Sequence, residues 1–129
     1  MILLDTHALI WMASDPKRLS GKAREAIRSA RQNSGVAIAG ITLWEVAWLA
    51  DHGRIVVAGS VENFIRGTVA RVIIRHVTPE IAALAVSIQA GFPKDPADRI
   101  IAATAMIESM PLVTADEEIR AAKIVETIW

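Results

Sequence analysis

The chain has 129 residues and no cysteine, and its formal net charge is zero because 14 Lys and Arg residues balance 14 Asp and Glu residues. This length suits a single domain that can bury enough apolar surface to fold without covalent or metal crosslinks. The lack of cysteine excludes disulfides, zinc–thiolate sites and thiol nucleophiles. The apolar start carries no basic residue, and no apolar stretch is long enough to span a bilayer. We therefore expect a cytoplasmic protein without a secretory signal.

Short apolar runs alternate with helical patterns along the chain. The first run, residues 1–4, has the continuous apolar character of a strand covered on both faces, and a short helix follows it. Ser20 can cap the next helix, which ends near Gln32. The later predicted elements are a strand at 36–39, helices at 42–52 and 60–70, a strand at 72–77, helices starting at Thr78–Pro79 and at Asp95–Pro96, a strand at 112–114, an acidic helix from about Asp116 and an apolar segment at 124–128.

Strands separated by helices in this way predict an α/β fold. We expect one domain, residues 1–129, built as a three-layer α/β/α sandwich around a central, mostly parallel sheet. Ligands bind such sheets outside the carboxyl ends of the strands. Asp5 and Asp116 lie at the carboxyl ends of predicted strands, and Glu45 and Asp98 lie in the first turns of predicted helices. All four acids should therefore lie at one edge of the sheet.

Converging carboxylates repel one another unless a cation lies between them, so these four acids predict a divalent metal site. Each acid also has a simpler interpretation. Glu45 and Asp98 each fit a helix capping box with the residue three positions earlier, and Asp116 can cap its own helix. Asp5 is harder to explain in this way, because a carboxylate that ends an apolar strand loses solvation. A metal site is the explanation that covers all four.

The basic residues are concentrated in the first part of the chain. Residues 1–75 contain ten Lys and Arg against six Asp and Glu, whereas residues 76–129 contain four against eight. Six of the basic residues lie at positions 17–31, and Arg24, Arg28 and Arg31 share one face of a predicted helix. A solvated helix face is the default interpretation, and a surface for a polyanion is the alternative.

Four segments together resemble the PIN-domain ribonucleases, and most closely the VapC-type toxins of bacterial and archaeal toxin–antitoxin pairs. They are Leu-Leu-Asp-Thr-His-Ala-Leu-Ile-Trp at 3–11, Trp-Glu-Val-Ala at 44–47, Asp-Pro-Ala-Asp-Arg-Ile-Ile-Ala-Ala-Thr-Ala at 95–105 and Leu-Val-Thr-Ala-Asp at 112–116. The resemblance covers nearly the whole chain, to about Arg120. It places the family's four acids at Asp5, Glu45, Asp98 and Asp116, which makes them the expected catalytic residues.

This resemblance implies an endoribonuclease that uses Mg²⁺ or Mn²⁺ to hydrolyse RNA phosphodiester bonds and leaves 5′-phosphate and 3′-hydroxyl ends. It also implies the toxin of a type II toxin–antitoxin system, with a cognate antitoxin as partner and a homodimer as the assembly. Asp5, Asp98 and Asp116 are the expected metal ligands, and Glu45 is expected to bind a second ion or orient water. The further expected contacts are Thr6, Thr114, Arg99 and Asp95 for substrate or water, and Arg24, Arg28 and Arg31 for RNA.

Several other side chains allow two interpretations. His7 could touch metal or substrate, but a partly buried, hydrogen-bonded histidine is the commoner case. Arg99 could clamp a phosphate or pair with a neighbouring acid, and the threonine hydroxyls could bond only backbone. Trp44 and Trp48 lie one helical turn apart, and Trp11 lies in the first helix. Core packing is the default for such residues, and a surface for an antitoxin or a second subunit is the alternative.

Two other functional classes remain open at this point. A receiver-like or phosphatase-like phosphotransfer domain also gathers acids at the edge of a parallel sheet. Its usual late lysine is missing here, however, and His7 occupies the second position of the expected Asp-x-Asp nucleophile. The other class is a catalytically silent metal-binding interaction module, because a complete set of ligands does not prove turnover.

Overall fold

The computed structural model describes residues 1–89 and 91–129. Within them, five strands alternate with seven α-helices. The strands are β1 (Ile2–Leu4), β2 (Val36–Ala39), β3 (Ile73–Arg75), β4 (Leu112–Val113) and β5 (Thr127–Ile128). The helices are α1 (Thr6–Ser14), α2 (Gly21–Gln32), α3 (Ile41–Asp51), α4 (Val61–Thr68), α5 (Pro79–Ser87), α6 (Pro96–Ile107) and α7 (Glu117–Ala122), and a short 3₁₀ helix occupies Pro16–Arg18.

The five strands form one sheet in the order β3-β2-β1-β4-β5, and every neighbouring pair is parallel. The predicted α/β sandwich is therefore confirmed, and its sheet is wholly parallel rather than mostly so. β1 is central, with Leu3 paired to Ala37 of β2 and to Leu112 of β4. The chain winds outward in one direction through β2 and β3 and in the other through β4 and β5. The strand order thus reverses at β1, which is where such sheets open a crevice for ligands.

Apolar side chains alternate between the two faces of β1, because successive residues of a strand point to opposite sides. Leu3 packs with α5 and α6 through residues such as Ile81 and Ile101. Ile2 and Leu4 belong to the other core layer, with residues of α1 and α2. The prediction that β1 is covered on both faces is confirmed. No helix in the described residues has both the length and the apolar character needed to cross a bilayer.

Most predicted boundaries are correct to within about two residues. Ser20 caps α2, with its hydroxyl oxygen accepting a hydrogen bond of 3.0 Å from the Ala23 amide. The third strand is shorter than predicted because β3 pairs only with β2 at the edge of the sheet, where Ile73 and Ile74 are 40% and 44% exposed. The apolar segment at 124–128 contains β5, a strand of only two residues.

Candidate active site

Five carboxylates line one open cleft of about 430 Å³ at the carboxyl edge of the sheet. They are Asp5, Glu45, Asp95, Asp98 and Asp116. Asp5 follows the central strand, and Asp116 follows β4 beside it. Glu45 projects from α3, and the other two lie at the start of α6. The structure thus brings together the four acids singled out in the sequence and places Asp95, the expected water or substrate contact, beside them.

Asp5 has a structural role as well as a place in the cleft. Its side chain is nearly buried, at 9% exposure, and its Oδ1 accepts a hydrogen bond of 2.7 Å from the Ala8 amide at the start of α1. The sequence pattern did not predict this N-cap. Burial raises the pKa of Asp5, and hydrogen bonds from the Thr114 side chain and the Ala8 amide oppose that rise. The Thr114 hydroxyl oxygen accepts a hydrogen bond of 3.1 Å from the Asp116 amide, so this side chain lies between the residues that follow β1 and β4.

Asp116 also caps a helix. Its Oδ1 accepts a hydrogen bond of 3.0 Å from the Ile119 amide in α7, as the capping interpretation predicted. Capping uses one carboxylate oxygen, and the side chain still lines the cleft. An N-cap and a metal ligand are therefore compatible roles for this residue.

Glu45 is held by a side chain rather than by the backbone. The Thr6 hydroxyl donates a hydrogen bond to Glu45 Oε1, and it also lies 3.2 Å from the hydroxyl of the buried Thr42. The capping-box interpretation of Glu45 was wrong, because α3 begins after Gly40 and has no side-chain cap. Burial is the largest of the effects that raise the pKa of Glu45, followed by the negative charges of Asp95 and Asp5.

Asp98 carries the clearest electrostatic sign of crowding. Asp95 caps α6 by accepting a hydrogen bond of 2.9 Å from the Ala97 amide, but Asp98 makes no side-chain hydrogen bond to any described residue, so the second capping box is not formed. The pKa of Asp98 is raised to about 7, first by burial and then by four nearby carboxylates. In order of effect, these are Asp95, Glu45, Asp116 and Asp5.

This donor set suits a hard divalent cation. Carboxylate oxygens are the ligands that Mg²⁺ and Mn²⁺ prefer, and a cation in the cleft would relieve the repulsion that raises the pKa of Asp98. Among the described residues, no three acids or histidines are already spaced to enclose one ion. An open site of this kind fits Mg²⁺, which keeps several of its waters and is usually held by one or two protein carboxylates.

Two of the predicted polar contacts differ from expectation. His7 is exposed and lines the cleft with its ring 5.7 Å from the ring of Trp11, so the expectation of a partly buried, hydrogen-bonded histidine was wrong. Arg99 donates to the carbonyl oxygens of Ile88 at 2.7 Å and Ala85 at 3.3 Å, so it ties α6 to α5. Among the described residues, Arg99 forms no ion pair with an acid, and it is not one of the residues that line the cleft. We therefore do not retain it as a substrate contact.

The tryptophans fall into two groups. Trp11 is half-buried and packs against Trp129, with 5.8 Å between ring centroids. Trp44 and Trp48 are 58% and 39% exposed, so the default of core packing was wrong for this pair. Trp48 stacks on His52 at 3.8 Å. The exposed pair borders a second hollow, which shares His7, Glu45 and Asp95 with the acidic cleft.

The predicted basic face lies on α2, outside the cleft. Arg24, Arg28 and Arg31 line a shallow groove of their own. The exposed guanidinium of Arg28 is paired with Glu25 at 2.7 Å. Arg18, which belongs to the same basic segment at positions 17–31, lines the cleft itself. Its position depends on how the turn after α1 packs, and no local sequence motif predicts that packing.

The raised carboxylate pKa values predict that the metal-free protein loses stability as the pH rises. The pKa of Asp98 is about 7 in the folded protein against an ordinary value of 3.8, so the folded state holds an extra proton between these values. Its favourable contribution is complete below the ordinary pKa and is lost as the pH rises through about 7. Thermal unfolding in chelator should give a lower midpoint at pH 8 than at pH 5.

Two variants locate the source of that pH dependence. Asp98→Asn should show a smaller fall in the midpoint between pH 5 and pH 8, because the proton-binding group is gone. Glu80→Gln removes an exposed acid outside the described cleft lining and should behave like the wild type. An unchanged fall in Asp98→Asn would contradict the assignment.

Comparison with known proteins assigns the chain to a family. Residues 2–125 match the PIN domain. The chain is 40% identical over 119 residues to Ribonuclease VapC22 of Mycobacterium tuberculosis, covering 92% of this chain and 89% of the relative. Its fold is similar to DNA-bound VapBC from Salmonella typhimurium, with a TM-score of 0.75 at 21% identity over 98% and 97% of the two chains. VapBC2 from Rickettsia felis, bound to a promoter DNA fragment, gives a TM-score of 0.73 at 17% identity, also over 98% and 97%. The chain therefore belongs to the PIN-domain family and is a homologue of the VapC ribonucleases.

Proposed function

We propose that this protein is a Mg²⁺-dependent or Mn²⁺-dependent endoribonuclease that acts in the cytoplasm as the toxin of a type II toxin–antitoxin pair. The observation that carries the proposal is the convergence of Asp5, Glu45, Asp98 and Asp116 in one cleft. Membership of the PIN-domain family and the 40% identity to Ribonuclease VapC22 support it. Neither offers support for the phosphotransfer alternative.

In this proposal Asp5, Asp98 and Asp116 hold the ion, directly or through water. A bound divalent ion would activate water for attack and stabilise the negative charge that builds up on the phosphate. The hydrogen bond from the Ala8 amide fixes the orientation of Asp5, and the bond from the Ile119 amide fixes that of Asp116. Two of the three proposed ligands are thus oriented by helix N-termini, which also favour negative charge.

Glu45 is the proposed group that orients the attacking water or holds a second ion. Its hydrogen bond from Thr6 restrains the carboxylate, and Thr6 is itself restrained by Thr42 from the same helix as Glu45. We also propose that Thr6, Thr114 and Asp95 position water or substrate. The Thr114 hydroxyl lies near Asp5 and accepts a hydrogen bond from the Asp116 amide, so it contributes to the surroundings of both acids.

RNA cleavage by the purified chain tests this function. Structured and unstructured RNAs are incubated with Mn²⁺, with Mg²⁺ or with chelator, and the ends of the products are analysed. We expect cleavage only with metal, leaving 5′-phosphate and 3′-hydroxyl ends. A silent interaction module would leave every RNA intact under all three conditions, and cleavage that persists in chelator would contradict the metal requirement.

We propose that the cognate antitoxin covers the exposed pair Trp44 and Trp48 and extends a basic side chain towards the neighbouring acids. Exposed indoles next to a functional cleft are typical anchors for a protein partner, and the hollow beside them shares Glu45 and Asp95 with the cleft. The family resemblance also implies a homodimer, whose presence light scattering would test.

Replacing Trp44 and Trp48 together by Ala should weaken antitoxin binding by about tenfold or more, because buried aromatic anchors carry much of the binding energy. Calorimetry with the purified antitoxin measures the effect. Val86→Ala is a matched control, because Val86 is 85% exposed on α5. Unchanged antitoxin affinity would contradict the proposal. If antitoxin affinity is unchanged but RNA binding is weakened, the surface binds the RNA substrate instead.

The arginines of α2 are expected to contact RNA phosphates without selecting bases. Replacing Arg24, Arg28 and Arg31 by Gln should reduce the slope of log affinity against log salt by about 0.7 per lost contact with single-stranded RNA. The cleavage position should not change. A second triple variant, with Gln in place of Arg54, Arg66 and Arg71, is the control because it loses the same number of positive charges. If both triple variants keep the wild-type slope, the α2 face is only a solvated helix surface.

A further inference from the structure

Arg18 is the one arginine or lysine in the described lining of the acidic cleft, which also contains His7. It ends the 3₁₀ helix Pro16–Arg18, which turns the chain back beside α1. Backbone hydrogen bonds fix this turn: the Asp15 amide donates to the Trp11 carbonyl at 2.9 Å, and the Leu19 amide donates to the Pro16 carbonyl at 3.2 Å. Leu19 is buried in the core. The backbone on both sides of Arg18 is therefore anchored.

The Arg18 side chain is supported by an aromatic ring. Its guanidinium carbon lies 4.6 Å from the centroid of the Trp11 ring. Trp11 is in turn flanked by His7 and Trp129, whose ring centroids lie 5.7 Å and 5.8 Å away. A guanidinium stacked on an indole keeps its N–H groups free at its edges.

Those N–H groups have no protein partner in the described residues, where Arg18 forms neither an ion pair nor a side-chain hydrogen bond. This contrasts with Arg28, which is paired with Glu25, and with Arg99, which is bonded to backbone carbonyls. An unpaired guanidinium held over an indole ring at a cleft is suited to bind an anion with two parallel hydrogen bonds.

The charge of the cleft favours such a contact with RNA. Five carboxylates line it against one guanidinium, so a phosphodiester that enters meets strong repulsion. Metal ions offset this repulsion at the reacting phosphate, but the neighbouring phosphates of the strand need their own counter-charge.

We propose that Arg18, held on the ring of Trp11, binds a phosphate adjacent to the scissile one and so positions the RNA strand in the cleft. This inference rests on the proposed ribonuclease function. Arg18 is a substrate-positioning residue here, distinct from the acids that carry the chemistry.

The test compares Arg18→Gln and Arg18→Lys with the wild type and with Arg71→Gln. Arg71 is an exposed arginine outside the described cleft lining, so its replacement is matched in charge. Binding of a fluorescent single-stranded RNA is followed by anisotropy across a salt series, in Ca²⁺ or in chelator, whichever leaves the RNA intact on a gel. Cleavage kinetics with Mn²⁺ and thermal unfolding are measured on the same proteins.

Arg18→Gln should bind RNA about tenfold more weakly, as expected for the loss of one charge-assisted contact, and its salt slope should fall by about 0.7. KM should rise while kcat changes little, because the contact binds ground state and transition state alike. Arg18→Lys should restore the slope but only part of the affinity, since an ammonium cannot form the paired contact. Arg71→Gln should match the wild type, and all four proteins should unfold at similar temperatures.

The outcomes separate this inference from the proposed function. If Arg18→Gln keeps the affinity and salt slope of Arg71→Gln, the role of Arg18 is overturned while the nuclease proposal stands. If the wild type binds RNA without cleaving it and Arg18→Gln loses the contact, the nuclease proposal fails and the phosphate contact stands. A wild type that neither binds RNA in these conditions nor cleaves it with Mn²⁺ overturns both.

Discussion

Replacement of Asp98 by Asn is expected to lower metal-dependent RNA cleavage by at least about 100-fold while the protein remains folded. A metal ion supplies several kcal/mol of transition-state stabilisation, and each 1.36 kcal/mol changes the rate about tenfold. Asp5→Asn and Asp116→Asn should lose cleavage activity to a similar extent. Both variants should remain folded, because Asn can still cap α1 and α7. Cleavage of a labelled RNA with Mn²⁺ measures the loss, after chromatography that removes contaminating nucleases.

Asp98→Asn should also be more stable than the wild type in chelator at pH 8. Asn removes one of the converging charges, and with it the repulsion that raises the pKa of Asp98. Glu80→Gln serves as the control: it should keep wild-type activity and should not gain stability, because Glu80 lies in the first turn of α5, where a negative charge is favourable. Near-wild-type cleavage by Asp98→Asn would remove this residue from the proposed metal site, and a misfolded variant would be recognised by its unfolding curve.

Expression of the wild-type chain alone is expected to arrest growth, and expression of Asp98→Asn is not. RNA cleavage by a free toxin harms the host cell, so toxicity should follow the acids of the cleft rather than the amount of protein. Co-expression of the cognate antitoxin should restore growth, because a partner bound over Trp44 and Trp48 would block the neighbouring acids. Growth curves with protein levels matched by immunoblot measure both effects. Unimpaired growth with an active, well-expressed wild type would contradict the toxin role.

The fold and the convergence of the acids could be predicted because both follow from the order of the strands and helices. A buried strand that ends in Asp5 and another followed shortly by Asp116 must bring these carboxylates to one edge of a parallel sheet. Helix starts near Glu45 and Asp98 were equally visible in the sequence. The pattern could not show which capping boxes form. Asp95 and Asp116 do cap helices, whereas Glu45 is held by Thr6, a residue 39 positions away in sequence.

The positions that the sequence could not predict correctly belong to side chains whose partners are set by tertiary packing. Arg99 lies beside Asp98 in sequence, yet it bonds carbonyls at the end of α5 because α5 and α6 pack together. Trp44 and Trp48 have the spacing of a buried stripe but are exposed on α3. Arg18 lies in the cleft only because a 3₁₀ turn folds back over Trp11. Sequence periodicity carries no information about such contacts between elements.

Binding of Mn²⁺ by the purified, RNA-free protein is the direct test of a metal site built on the acids of the cleft. Calorimetry at pH 7 in two buffers of different ionisation enthalpy gives both the affinity and the number of protons released. The pKa of Asp98 is about 7, so this carboxyl is about half protonated at that pH and must lose its proton when metal binds. The wild type should bind Mn²⁺ with proton release, Glu80→Gln should do the same, and Asp98→Asn should bind much more weakly and release fewer protons. Equal affinity and equal proton release in the wild type and Asp98→Asn would contradict a metal site built on these acids.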